Sequence, residues 1–259
     1  MSHTPLPLSW QSFGEQGQPP LVILHGFLAS GRNWRGIAQH LSEHFWVLVP
    51  DLRNHGASPK HPIMNYPAMA GDITALLDTL HLPDAHILGH SMGGKVAMWL
   101  ALNHPDRVGR LVVADIAPKT YRHDFKAILS ALQGLNVKAL RSRKHADTCL
   151  ADAIPKPALR QFLLQNLQLE QGQLQWRVDL DILERAGPLI SGFPETTGLY
   201  PFSGQCLFVF GEHSEFFDEA AITPLFPGAE LTVIAEAGHW LHAEQPERFL
   251  HSVGVFLAS

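Results

Sequence analysis

The stretch that decides the fold is Leu88-Gly89-His90-Ser91-Met92-Gly93-Gly94-Lys95-Val96, which contains the pattern G-x-S-x-G. The residues before it, 85–88, are apolar like a buried strand, and those after it, 95–102, have the pattern of a helix. A serine on a sharp strand-to-helix turn stands clear of its own backbone. A Cβ at either flanking glycine would clash across that turn. The stretch therefore predicts a nucleophile elbow, with its serine as the nucleophile.

Short apolar runs alternate with helical patterns on both sides of the elbow. Strands are predicted at 8–13 (an edge strand), 20–24, 45–49, 108–114, 206–210 and 230–234. Helices are predicted at 33–42 with Asn33 as N-cap, at 67–80 with Pro67 as the first residue, near 217–226 and from Pro246 to about 257. This alternation is typical of a parallel sheet with right-handed crossovers.

The alternation stops after Pro118 and resumes near residue 201. Between them the sequence has helical patterns at 124–134, 137–150, 157–169 and 179–190, and no convincing buried strand. We expect a core of residues 1–118 and 201–259, with residues 119–200 as a helical insertion lying over the sheet.

Composition indicates a globular protein: of 259 residues, 46% are hydrophobic and 17% charged. The net charge of −5 and the lack of a basic tract argue against a nucleic-acid partner. No run of 18 apolar residues and no secretory signal is visible, so we expect a cytoplasmic protein without a membrane span. Its partner is expected to be a small molecule, and its state a monomer or small homo-oligomer. No phosphate-loop, dinucleotide or H-E-x-x-H motif occurs, so neither a cofactor nor a metal is expected.

A nucleophilic serine needs a histidine base, and an acid follows the serine along the chain in this architecture. His239 follows the last strand and Gly238, which lets the loop bend back towards the serine. We predict that Ser91 is the nucleophile and His239 the base. His242 and His251 are rivals that fall towards or within the final helix.

The acid is less determined by position. Asp115 directly follows the strand after the elbow helix, at the correct edge of the sheet. The turn after the next strand is the more usual place, but it offers Glu212, Glu215 or the Ser214 hydroxyl and no aspartate. We predict Asp115, with those three as alternatives.

The oxyanion hole requires two backbone N–H groups. Met92, at the start of the elbow helix, supplies one, and Phe27, in the loop after residues 20–24, supplies the other. We expect His25 to brace that loop by hydrogen bonding. Aromatic side chains at Trp176, Phe216, Phe217 and Trp240 could line an apolar substrate pocket.

The predicted insertion carries a short basic cluster: Lys138, Arg141, Arg143 and Lys144. A solvated helix face explains it most simply. A site for the phosphates of a coenzyme A group is the alternative.

Several of these motifs together resemble the α/β-hydrolase family. More narrowly, the chain resembles the bacterial YbfF-type esterases in five stretches: 51–56, 65–70, 89–95, 115–118 and 238–244. The resemblance implies a mostly parallel central sheet flanked by helices, with a helical cap inserted after the sixth strand. It also implies hydrolysis of short acyl esters and acyl-CoA thioesters. In that group the acid follows the strand after the elbow helix, as Asp115 does, and a serine near the histidine matches Ser214.

The sequence thus predicts a serine hydrolase that cleaves carboxylic esters or thioesters through a Ser-His-Asp triad. One alternative is a lyase or C–C bond hydrolase that acts on a small carboxylated metabolite with the same triad. The other is a non-enzymatic ligand receptor on this scaffold.

Overall fold

The computed structural model describes residues 4–122 and 125–259, and nine strands lie within those ranges. In chain order they are β1 (Trp10–Phe13), β2 (Pro20–Leu24), β3 (Trp46–Pro50), β4 (Ala85–His90), β5 (Val108–Ala114), β6 (Leu167–Glu170), β7 (Gln173–Trp176), β8 (Cys206–Gly211) and β9 (Ala229–Ile234).

Seven of these strands form the central sheet, in the order β1-β3-β2-β4-β5-β8-β9. Only the edge pair β1–β3 is antiparallel, and every other pair runs parallel. The order reverses direction between β2 and β4, and the carboxyl ends of strands at such a point open a crevice for ligands.

Ten α-helices occur in the described ranges. They are α1 (Arg35–Leu41), α2 (Tyr66–Thr79), α3 (Met92–Asn103), α4 (Phe125–Gln133), α5 (Arg143–Leu150), α6 (Pro157–Leu163), α7 (Leu180–Ser191), α8 (Glu219–Ile222), α9 (Leu241–Glu244) and α10 (Pro246–Ala258). Single 3₁₀ turns cover Gly31–Trp34, Pro105–Arg107, Val137–Ala139 and Leu164–Asn166.

The core lies on both faces of the sheet because side chains alternate along each strand. Val22 and Leu24 of β2 point into one cluster, which includes residues of α2 and α3. Leu21 and Ile23 point into the other, which includes residues of α1 and α10. All four are completely buried, which is why the run reads as continuously apolar. The predicted fold class, a mostly parallel sheet flanked by helices, is confirmed.

The segment between β5 and β8 departs from the prediction in two ways. It follows the fifth strand of this chain, not the sixth. It is also not purely helical, since β6 and β7 form an antiparallel hairpin. The predicted helix 157–169 therefore ends at Leu163, and 137–150 divides into a 3₁₀ turn and α5. The start of the predicted helix 124–134 lies outside the described residues, and α4 occupies the rest to Gln133.

Two helix starts also differ. Ser30, not Asn33, is the N-cap of the turn before α1, and the Asn33 side chain instead accepts from the Ser30 amide at 2.9 Å. Asn65 caps α2, so Pro67 is its second residue. Within residues 4–122 and 125–259, every helix falls short of the length and apolarity that crossing a bilayer demands.

Candidate functional site

The elbow places Ser91 between β4 and α3 with φ 53°, in the left-handed region that non-glycine residues rarely adopt. Glycines on both sides make this turn possible. A Cβ built on Gly89 would lie 2.2 Å from the Gly93 carbonyl oxygen, and one built on Gly93 would lie 2.3 Å from the Leu24 carbonyl oxygen. The backbone packs so closely here that no side chain fits.

Three side chains from distant parts of the sequence form one line of hydrogen bonds. His239 Nε2 lies 3.1 Å from Ser91 Oγ, and His239 Nδ1 lies 2.7 Å from Asp115 Oδ2. A carboxylate can only accept, so Nδ1 carries the proton and Nε2 is free to accept from the serine hydroxyl. The arrangement is that of a nucleophile, a base and an orienting acid.

Asp115 is completely buried and has two further donors. The Gly211 amide donates to Oδ1 at 3.0 Å, and the Ser214 hydroxyl donates to Oδ2 at 2.6 Å. Ser214 Oγ in turn accepts from the Phe216 amide at 3.1 Å. These bonds fix the carboxylate so that it holds the His239 ring in one orientation.

The rival residues lie elsewhere. Glu212 and Glu215 are exposed, and Glu212 accepts from the Glu236 amide. His251 lies exposed on α10. His242 is buried and stacks on Trp34, with ring centroids 4.1 Å apart.

The loop after β2 provides the second part of the site. Among residues 4–122 and 125–259, no protein acceptor takes the amide protons of Phe27 and Met92. Met92 opens α3, whose N-terminus favours negative charge. Both amides are therefore available to an oxyanion formed beside Ser91.

Two buried histidines brace that loop. His25 Nε2 accepts from the Leu52 amide at 2.9 Å, so its Nδ1 donates to the Gly26 carbonyl at 2.8 Å. His55 Nε2 accepts from the Leu28 amide at 3.1 Å. Burial lowers the pKa of His25, and lowers that of His55 to about 3, so both rings stay neutral and keep these bonds.

A third buried histidine, His90, lies against the base. Its Nε2 donates to the His239 carbonyl at 2.8 Å, and the two rings are 4.7 Å apart. Burial, reinforced by the neighbouring histidines, lowers the pKa of His90 well below its ordinary value. A neutral His90 adds no positive charge beside the His239 ring.

Ser91 and His239 open into a cavity of about 520 Å³. Phe216 and Trp240 line this cavity, and Phe216 also stacks on His239 with ring centroids 4.3 Å apart. Trp176 does not line this cavity: it ends β7 and packs against the core cluster instead. Phe217 is largely exposed and outside the cavity.

The sequence reasoning missed most of the cavity wall. Ile128 of α4 and Leu159 and Phe162 of α6 line it from above the sheet. Apolar periodicity marks these helices as having a buried face, but it does not say what that face covers. Lys95, two residues beyond the elbow glycine, also lines the cavity although it is almost fully buried.

Residues 19–246 match the family model described as the alpha/beta hydrolase fold. The sn-1-specific diacylglycerol lipase ABHD11 of Danio rerio is 38% identical over 266 residues, which cover 98% of this chain and 83% of that protein. Esterase YbfF of Escherichia coli K12 is 34% identical over 249 residues, 94% of each chain.

A solved structure described as a marine microorganism esterase superposes with a TM-score of 0.93 at 38% identity. The match covers 97% of this chain and 99% of that one. The likeness therefore includes the segment between β5 and β8 as well as the sheet.

Proposed function

This chain belongs to the α/β-hydrolase family and is an ester hydrolase, and we propose that it works through a covalent acyl-enzyme on Ser91. The observation that carries the proposal is the hydrogen-bonded line from Ser91 through His239 to Asp115, opening into an apolar cavity. An activated serine with a buried acid behind its base is suited to attack an acyl carbon.

In the first half of the reaction, His239 Nε2 takes the hydroxyl proton as Ser91 Oγ attacks the acyl carbon. The amides of Phe27 and Met92 hold the oxyanion, and Asp115 stabilises the charged imidazole. The intermediate then expels the alcohol or thiol, which leaves with the proton from His239. In the second half, a water gives a proton to the same nitrogen as its oxygen attacks the acyl carbon. The bond between that carbon and Ser91 Oγ then breaks, which releases the acid, and His239 returns the proton to Ser91 Oγ.

The proposed substrates are carboxylic esters and acyl-CoA thioesters. The apolar wall formed by Ile128, Leu159 and Phe162 suits a hydrocarbon acyl chain. We assign residues 119–200 to a cap and residues 1–118 and 201–259 to the core, since the cavity lies between helices of the one and strand ends of the other. The proposal needs no cofactor.

We also propose that the enzyme is cytoplasmic and that it is a monomer or a small homo-oligomer. The cytoplasmic location is supported by the exposed free thiol of Cys149 and the buried free thiol of Cys206. Free thiols persist in reducing compartments.

The test is hydrolysis of p-nitrophenyl butyrate and butyryl-CoA by wild type and Ser91→Ala. We expect kcat to fall by about 10⁴-fold or more in the variant, since the nucleophile is lost. Ser203→Ala, at an exposed serine away from the cavity, is the matched control and should retain full activity. Full turnover by Ser91→Ala would contradict the proposal.

A further inference from the structure

We call the cavity of about 520 Å³ at Ser91 and His239 the acyl cavity. A second, smaller cavity of about 130 Å³ lies beside it. Three arginines line it, Arg32, Arg143 and Arg177, together with the polar residues Ser30, Asn33 and Gln165. We call it the arginine pocket. Its residues come from both the core and the segment above it, and no motif in the sequence groups them.

Hydrogen bonds at the two ends of the β6–β7 hairpin hold the side chain of Arg143 and the backbone of Arg177. Arg143 donates from Nε and Nη2 to the Leu167 carbonyl, at 2.9 and 2.7 Å. The Arg177 amide donates to the Asn166 carbonyl at 2.8 Å. Arg32 belongs to the 3₁₀ turn Gly31–Trp34, which follows the loop after β2 (residues 25–30), called the oxyanion loop below. The hairpin thus brings Arg143 and Arg177 to face Arg32.

The protein balances only part of the positive charge of this pocket. Within residues 4–122 and 125–259, none of the three arginines forms an ion pair. Asp51 is the carboxylate that acts on Arg177, and its two oxygens already accept from the amides of Gly31 and Ala57. Burial and the charges of Arg32 and Arg143 lower the pKa of Arg177. Guanidinium groups in such a cluster suit a multiply charged anion.

The arginine pocket and the acyl cavity share a wall. Leu28 and Ala29, which directly follow Phe27, line both. So do Asn33 and Gln165, whose side chains meet in a hydrogen bond of 2.8 Å from Asn33 Nδ2 to Gln165 Oε1. The cationic site therefore lies next to the cavity into which Ser91 opens.

We propose that the arginine pocket binds a phosphate group carried by the leaving group of the substrate, an inference that rests on the proposed function. The acyl chain occupies the apolar cavity, and the alcohol or thiol carries the phosphate to the three arginines. Two kinds of leaving group have this chemistry, a phosphorylated glycerol and a nucleotide-bearing thiol.

Two matched substrate pairs distinguish these sources. One pair is 1-butyrylglycerol 3-phosphate and 1-butyrylglycerol, and the other is butyryl-CoA and S-butyryl-N-acetylcysteamine. The measured quantity is the ratio of kcat/KM within each pair, for wild type, Arg32→Gln, Arg143→Gln and Arg177→Gln. Arg185→Gln, an exposed arginine of α7 outside both cavities, is the matched control.

We expect wild type to favour the phosphorylated member of at least one pair. Each pocket variant should lower that ratio by about tenfold or more through KM, since a charge-assisted bond is lost, while Arg185→Gln leaves it unchanged. The pair that responds identifies the leaving group. Ratios that stay the same in the pocket variants for both pairs would overturn the inference, and so would an equal loss in Arg185→Gln.

Labelling of Ser91 by a fluorophosphonate separates this outcome from failure of the proposed function. If wild type is labelled and turns over 1-butyrylglycerol while the ratios do not respond, only the arginine pocket inference fails. If wild type is not labelled and turns over none of the four substrates, the acyl-enzyme proposal fails, and the inference fails with it.

Discussion

Ser91 is held in a backbone conformation that costs about 1–3 kcal/mol for a non-glycine residue. Asp115 shares this property, with φ 56°. Both residues directly follow strands, β4 and β5, whose last four residues are all buried, and packing of this kind can maintain such strain. Strain at these two positions aims a hydroxyl and a carboxylate at one imidazole.

The first prediction concerns the acid. Asp115→Asn should lower kcat by about 10³–10⁴-fold with little change in folding, because an amide cannot hold the His239 tautomer or stabilise its charge. The kcat for ester hydrolysis checks the effect on activity, and the midpoint of thermal unfolding checks the effect on folding. Ser214→Ala should cost far less, since Asp115 keeps the bonds from Gly211 and His239.

Glu212→Gln and Glu215→Gln are the matched controls for the acid. Each removes a carboxylate from the turn after β8, where the acid of this architecture is more usual. Both should hydrolyse esters at the wild-type rate. If either variant lost activity as severely as Asp115→Asn, the acid would have been misassigned.

For single residues, the G-x-S-x-G motif and the order of candidates along the chain were enough to predict which side chains would meet. The glycine argument can be made from G-x-S-x-G alone, because any Cβ at Gly89 or Gly93 meets backbone atoms. Trp176 could not be assigned in the same way. An aromatic side chain in the predicted insertion packs equally well into a cavity wall or a core, and its register on an unrecognised strand decides between them.

Among the helices, α7 is joined to the core by hydrogen bonds to the carbonyl groups at its C-terminal end. Lys95 Nζ donates to the Ser191 and Gly192 carbonyls at 3.0 and 2.6 Å, and the Tyr66 hydroxyl donates to the Ile190 carbonyl at 2.5 Å. The last carbonyls of a helix lack intrahelical partners and carry partial negative charge. A buried lysine from the elbow helix therefore anchors the end of the segment that covers the site.

Lys95 leads to a prediction about pH. Burial lowers its pKa to about 7, from 10.5 in the unfolded chain. Between those values the unfolded chain binds more protons, so the free energy of unfolding should rise with pH, by up to ~1.4 kcal/mol per unit. Lys95→Met should lack this rise. Denaturant unfolding of both proteins from pH 7 to 9.5 measures the difference.

Comparing the two proteins cancels the contributions of other titrating groups. The carbonyl bonds of Lys95 act against the effect of burial, because they favour the charged amine. The quantity to follow is the free energy of unfolding of wild type minus that of Lys95→Met. If it stays constant or falls as pH rises, these bonds outweigh burial and the prediction is contradicted.

The hairpin β6–β7 shows why an element was missed. Its strands are four residues each and mostly exposed, so they lack the apolar run that marked the sheet strands. Gln171 and Gly172 between them both have positive φ, as the common two-residue hairpin turn requires. The hairpin is important for the arginine pocket, because Arg143 and Arg177 form hydrogen bonds at its ends.

At the scale of the whole molecule, the cavity is bounded by the sheet edge below and by α4 and α6 above. The two parts touch at the oxyanion loop, where the rings of Phe27 and Phe125 are 4.6 Å apart. Alternating strands and helices predicted the lower half well. The upper half depends on contacts between distant helices, which local patterns do not encode.

This architecture predicts how acyl length is selected. Leu159→Trp adds bulk to the wall of the cavity and should move the best substrate in a p-nitrophenyl ester series to shorter acyl chains. Leu189→Trp is the matched control, because Leu189 lies exposed on α7 outside the cavity. An identical chain-length profile in wild type and Leu159→Trp would place the acyl chain elsewhere.

The central claim is that Ser91 becomes covalently acylated by means of His239. The most direct measurement is intact-protein and peptide mass spectrometry after reaction with a fluorophosphonate, for wild type, Ser91→Ala and His239→Gln. We expect one phosphonyl group on the Ser91 peptide of wild type, none on Ser91→Ala, and labelling at least ~100-fold slower for His239→Gln. A label on another residue, or equal labelling of Ser91→Ala, would contradict the central claim.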